Sequence, residues 1–219
     1  MTPKSTPVPP ELFDYLIGHG MAPDGVQNDL IAETQATMGD LSGMQIAPDQ
    51  GAFLTLLARI LGVRDAVEVG TFTGYSSLCL ARGLAPGGRL ICCDVSEEFT
   101  SVARRYWDRA GLTDRIELRL GPALDTLRAM PADQAFDLAF IDADKPGYVA
   151  YWDELVPRIR PGGVLLVDNV FYHGRVVHPA DQADNVVGIR RFNDHAAADD
   201  RVELTMLTIG DGLTLARKR

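Results

Sequence analysis

Several signatures that type a protein quickly are missing from this 219-residue chain, and each absence removes a class. Cysteine is scarce, with three residues and no C-x-x-C spacing, which argues against a structural zinc site and against a disulfide scaffold. Cys92 and Cys93 are adjacent in a strand-like run and so point to opposite sides, while Cys79 lies in a helical pattern. All three read as reduced and buried, as in a cytoplasmic protein. No stretch approaches the ~20 uninterrupted apolar residues of a membrane helix. The start, "MTPKSTPVPPELF", has no apolar core of a secretory signal, and its prolines read as a flexible tail over residues 1–10. Excess basic charge is absent too. The formal net charge is -9, which disfavours a nucleic-acid partner, and the basic run Ala216–Arg219 is too short to reverse that. There is no internal repeat and no G-x-G-x-x-G.

What is present is alternation. Strand-like runs at 65–70, 88–94, 115–120, 136–142 and 162–168 are separated by helical patterns at 74–85, 97–111, 123–130 and 147–159. Short connections between such runs imply an α/β fold: a Rossmann-like, mostly parallel sheet with helices on both faces. After Asp168 the pattern changes. A helix near 183–197 precedes two runs flanking Gly210-Asp211-Gly212, a hairpin signal that makes the last strand antiparallel. The first 62 residues read as a helical layer, clearest in the amphipathic stretch 48–61. No linker interrupts the chain, so residues 11–219 read as one domain.

Ligands of open α/β sheets bind at the carboxyl ends of the strands. The first such end reads "VEVGTFTGYSS", giving Glu68-x-Gly70-x-x-x-Gly74. Glu68 would repel a pyrophosphate, whereas it suits a cationic ligand. S-adenosylmethionine is one: it carries an ammonium and a sulfonium, and no phosphate. Asp94 ends the second strand and can accept hydrogen bonds from both hydroxyls of a ribose. The plainer alternative is a tight strand–helix turn with two exposed acids.

The next two strand ends hold Asp142, then Asp168 and Asn169, within "IDADK" and "VDNV". Adjacent strands lie about 5 Å apart, so two carboxylates and an amide oxygen can converge on a hard cation such as Mg²⁺. Asp residues at helix starts are also ordinary N-caps. Lys145 stands three residues after Asp142. Beside a metal, a lysine can serve as a general base; without one it pairs with Asp144 at the surface.

Together the segments "MQIAPDQGAFL", "VEVGTFTGYSS", "GPALDTL", "DLAFIDADKPGYVAYW" and "PGGVLLVDNV" resemble those of the metal-dependent class I O-methyltransferases, the caffeoyl-CoA and catechol types and their bacterial relatives. The resemblance runs from about Met38 to the C-terminus. It implies a seven-stranded sheet and transfer of a methyl group from S-adenosylmethionine to a hydroxyl of a vicinal-diol phenol. It places Met44, Ile46, Glu68, Gly70, Thr71, Ser76, Asp94, Ala123 and Asp144 around S-adenosylmethionine. Asp142, Asp168 and Asn169 would hold Mg²⁺, or Mn²⁺ or Ca²⁺. Lys145 would take the phenolic proton, and Asp142 would touch the substrate as well. Tyr172 and His173 fall at substrate-contact positions where relatives often place Trp and, in plants, Asn. The plant substrate-binding lysine has no clear counterpart, which favours a small catechol over a CoA ester. A homodimer and a small phenolic partner are implied, with no nucleic acid and no membrane. The rival readings are an NAD(P)-dependent oxidoreductase on a related sheet and a non-catalytic module that binds S-adenosylmethionine.

Overall fold

Strands that are covered on both faces read as largely apolar runs, and the centre of this protein is built from three of them, even though charged residues such as Glu68 and Asp137 fall within them. In the computed structural model, which describes residues 6–219, these are β1 (Asp65–Val69), β4 (Phe136–Ile141) and β5 (Ile159–Val167). With β2 (Arg89–Asp94), β3 (Ile116–Leu120), β6 (Val202–Leu207) and β7 (Leu213–Lys218) they form one seven-stranded sheet in the order β3-β2-β1-β4-β5-β7-β6. Only β7 runs opposite to the other six strands, pairing Thr214 with Val167 of β5 on one side and Leu213 with Leu207 of β6 on the other. The last strand is therefore antiparallel as expected. It does not close the sheet, because it inserts between β5 and β6.

Eight α-helices accompany the sheet among the described residues. They are α1 (Pro10–His19), α2 (Gly25–Thr37), α3 (Pro48–Leu61), α4 (Tyr75–Gly83), α5 (Glu97–Arg109), α6 (Ala123–Ala129), α7 (Tyr148–Leu155) and α8 (Asp184–Ala197). The predicted tail ends where Pro10 opens α1, and its first five residues lie outside the described residues. α2 starts on a capping box in which Asp24 accepts from the Gln27 backbone and Gln27 returns to the Asp24 amide. α3 starts on Pro48 and stops at Gly62 in left-handed backbone, the usual signals at the two ends. α7 is shorter than the apolar pattern suggests. Pro157 falls in a 3₁₀ turn over Val156–Arg158, and Ile159 already pairs with Phe136 in the sheet.

Alternation along each strand sends its residues into two cores. Ala66, Cys92, Leu138 and Phe140 face Leu30, Leu54, Leu78 and Trp107 of α2 to α5. Val67, Val69, Cys93, Ala139 and Ile141 face Leu127, Trp152 and Phe192 of α6 to α8. Cys92 and Cys93 thus lie on opposite faces, and all three cysteines are buried and free. Trp152 is fully buried, sits edge-on to Phe192 at 5.6 Å and donates its Nε1–H to Asp199 at 2.8 Å. Truncating such a side chain to Ala costs roughly 3–5 kcal/mol. Among the described residues no helix is long and apolar enough to cross a membrane. The carboxyl ends of β1, β2, β4 and β5 all point to one side, and the candidate site lies there.

Candidate active site

A cavity of about 750 Å³ opens at these strand ends. Of the nine residues predicted around the cofactor, Met44, Ile46, Gly70, Thr71, Ser76, Asp94, Ala123 and Asp144 line it. Its floor depends on Gly70, which has φ +90. A Cβ there would fall 1.9 Å from the Asp142 carbonyl oxygen, so no other residue lets the first loop cross the end of β4. Asp94 lines the cavity from β2. Its Oδ2 accepts from the Thr71 and Phe72 amides at 2.8 and 2.9 Å, and its Oδ1 accepts from Ser96 N at 2.8 Å. A carboxylate offers about four lone-pair positions, so Asp94 organises the loop and keeps capacity for a hydroxyl. Phe72 and Phe99 meet edge to face at 4.9 Å on the same wall.

Glu68 is the exception. It is wholly buried behind the wall formed by Gly70, Thr71 and Ser76, and neither carboxylate oxygen has a hydrogen-bond partner. Burial pushes its pKa up to about 8; Ser76, Cys92 and Thr71 lie close enough to temper the rise without closing a hydrogen bond on it. The fold therefore holds a neutral acid under the cofactor loop at moderate pH.

Of the three predicted cation ligands, Asp142 and Asn169 meet at one point, and a cation of the protein's own sits between them. Lys145 Nζ donates to Asp142 Oδ1 at 2.9 Å, Asn169 Oδ1 at 2.7 Å and the Tyr148 hydroxyl at 2.6 Å. These three acceptors match the three N–H bonds of an ammonium. Lys145 thus pairs with Asp142, and not with Asp144 as the surface alternative had it; Asp144 Oδ1 instead accepts from Tyr151 OH at 2.5 Å. Tyr148 is buried. Its phenol is held protonated by burial and by the charges of Asp142, Asp168 and Asp144, and it donates to the Asp168 carbonyl at 3.2 Å.

Asp168 is 2 % exposed and does not line the cavity. Burial, then the charge of Asp142, raises its pKa; the Asn169 amide, Gln50 and Lys145 oppose the rise. Asn169 N donates to Asp168 Oδ1 at 2.8 Å. Among the described residues no three His, Cys, Asp or Glu side chains gather as a metal cage. A divalent cation here would need the Asn169 amide oxygen beside the two carboxylates, with Lys145 moved aside. The donors themselves fit a hard cation, being all oxygen.

The far wall comes from the loop after β5. Tyr172 and His173, the expected substrate-contact positions, both line the cavity. Asn169, Tyr172 and His173 hold left-handed backbone with φ of 57, 44 and 54, which costs an ordinary L-residue roughly 1–2 kcal/mol and is met most often at functional sites. Asn185 Nδ2 donates to the Tyr172 hydroxyl at 2.8 Å. Phe171, next to them, does not line the cavity; its ring packs on Gly212. Asp211, in the turn between β6 and β7, also lines the cavity. In the sequence it reads only as turn chemistry between two glycines, and nothing local signals that β7 carries it to the end of β5.

A family model described as O-methyltransferase matches residues 23–219. The chain is 38% identical over 211 residues to a probable caffeoyl-CoA O-methyltransferase 1 from Dictyostelium discoideum, covering 94% of this chain and 91% of that protein. It is 36% identical over 201 residues to a catechol O-methyltransferase from Niastella koreensis, covering 88% and 91%. Its backbone superposes on an O-methyltransferase from Bacillus cereus in complex with SAH with a TM-score of 0.87, at 37% identity and covering 94% and 96%.

Proposed function

Because this chain belongs to the O-methyltransferase family and is an S-adenosylmethionine-dependent O-methyltransferase of the caffeoyl-CoA and catechol type, we propose that it methylates one hydroxyl of a small vicinal-diol phenol, with a divalent cation and with Lys145 as general base. Family membership removes the nicotinamide oxidoreductase and the non-catalytic module. The observation that carries the finer reading is Lys145 Nζ resting between Asp142 Oδ1 and Asn169 Oδ1: hard oxygens that already hold a positive charge support a cation site at that end of the cavity.

Asp142, Asp168 and Asn169 would hold Mg²⁺, or Mn²⁺ or Ca²⁺, and such an ion supplies charge that lowers the pKa of a bound phenol. S-adenosylmethionine supplies the methyl group from its sulfonium. The protein's own part is placement and proton transfer. Lys145 gives up Asp142 and Asn169 and stays beside Tyr148; its ammonium proton passes to solvent water, and the free amine then takes the phenolic hydrogen at Nζ, leaving the phenolate to attack the methyl group. Gly70, Thr71, Ser76 and Asp94 hold the donor on one wall, while Tyr172 and His173 close over a planar acceptor on the other. Such alignment is worth several kcal/mol by itself.

A small acceptor is favoured by charge. Among the described residues Lys145 is the only Lys or Arg on the cavity wall, against Asp94, Asp142, Asp144 and Asp211. The phosphates of a CoA ester would find no basic partner there. Exposed Tyr15 and Leu16 on α1, with Leu56 and Ile60 on α3, support the expected homodimer.

The acceptor is tested by methyl transfer from labelled S-adenosylmethionine to catechol, caffeate and caffeoyl-CoA side by side. Catechol turning over with the highest kcat/KM is the expected result. Preference for the CoA ester would overturn the small-acceptor reading.

A further inference from the structure

The loop that carries Tyr172 and His173 is held against its own backbone preference, and what holds it comes from a turn 38 residues further along the chain. Tyr172, His173 and Gly174 are three consecutive left-handed residues. Their restraints lie in the turn between β6 and β7. Val170 N donates to the Gly212 carbonyl at 3.1 Å and Phe171 N to the Asp211 carbonyl at 3.0 Å. His173 N donates to Asp211 Oδ1 at 2.7 Å, the only one of these bonds that a side chain makes. The Phe171 ring lies where a Cβ on Gly212 would meet it at 2.5 Å, so loop and turn are packed without a gap. Asp211 Oδ2 is buried with no hydrogen-bond partner and stands 3.7 Å from His173 Nδ1, beyond hydrogen-bond reach. The bond to the backbone is thus what this carboxylate contributes.

We infer that Asp211 is a positioning residue: it fixes the left-handed run at Tyr172–Gly174, and through it the width and orientation of the acceptor space facing Lys145. The bond that His173 N–H donates to Asp211 Oδ1 is short, at 2.7 Å, and it acts in the middle of the left-handed run, on a residue with φ of 54 that lines the cavity. The phenol as acceptor rests on the preceding reading; the restraint of the loop does not.

The test compares the native protein with Asp211→Ala and Asp211→Asn. Asparagine keeps an oxygen that can accept from His173 N, and alanine does not. In Asp211→Ala, amide exchange at Phe171–Gly174 should accelerate, and the KM for catechol should rise about 10- to 100-fold, as misplacement of the acceptor predicts. The ratio of the two monomethyl products of 3,4-dihydroxybenzoate should shift, with S-adenosylmethionine affinity unchanged. Asp211→Asn should restore all of these. Unchanged loop exchange in Asp211→Ala, or an asparagine variant that behaves like alanine, would overturn the inference. If the native protein methylates no phenol, the acceptor reading fails, and the exchange comparison still decides the role of Asp211.

Discussion

Lys145 Nζ lies 2.7 Å from Asn169 Oδ1, and Asn169 itself is held in left-handed backbone with φ 57. A lysine just past β4 and a strained asparagine just past β5 meet at one point, with Asp142 on the third side. Asparagine tolerates this backbone better than most residues, so its amide oxygen can be aimed where a carboxylate would add a further negative charge.

Replacing Lys145 by Met keeps the length of the side chain and removes the nitrogen. In Lys145→Met, kcat should fall about 10²–10⁴-fold, the usual contribution of a positioned general base. Affinity for S-adenosylmethionine should hold, because Lys145 is not among the residues placed around the donor. Measuring kcat beside a calorimetric titration of the cofactor checks both. Equal loss in the two would remove Lys145 from proton transfer.

Gly70→Ala should unfold the first loop locally. The added methyl would meet the Asp142 carbonyl at 1.9 Å in backbone that only glycine adopts freely. A lowered melting temperature and loss of cofactor binding are expected together. A variant that binds the cofactor normally would show that the loop crosses β4 differently.

Glu68 gives the protein a pH dependence of definite sign. Its pKa is raised from the ordinary 4.5 to about 8 in the fold, mainly by burial. A raised value means that the folded state binds the proton more tightly than the unfolded chain does. The stability this group contributes is full below pH 4.5 and is lost as pH rises through about 8. Glu68→Gln should flatten that decline, seen as melting temperature against pH. A native profile that climbs between these limits, with the variant unchanged, would contradict the assignment.

Much of this was legible in the sequence because each parallel strand ends in a glycine or an acid that marks both a boundary and a site. Glu68–Gly70, Asp94, Asp142 and Asp168 are such marks, and they lie at the strand ends in the folded protein. Other features depend on long-range placement that no local pattern encodes. The insertion of β7 between β5 and β6 carries Asp211 to the acceptor loop. The seclusion of Glu68 depends on how the loop and α4 cover the end of β1, and the period of a strand gives its face but not its cover. The choice of Asp142 over Asp144 by Lys145 follows from Tyr151 engaging Asp144, a contact seven residues away across a turn.

Asp142, Asp168 and Asn169 are proposed to hold a divalent cation during turnover, with Lys145 displaced from Asp142 and Asn169. The direct measurement is methyl transfer to catechol after treatment with EDTA, followed by addition of Mg²⁺ in excess. The account predicts that activity disappears with the chelator and returns with the ion. Full activity in EDTA would contradict it, leaving Lys145 as a fixed cation between Asp142 and Asn169.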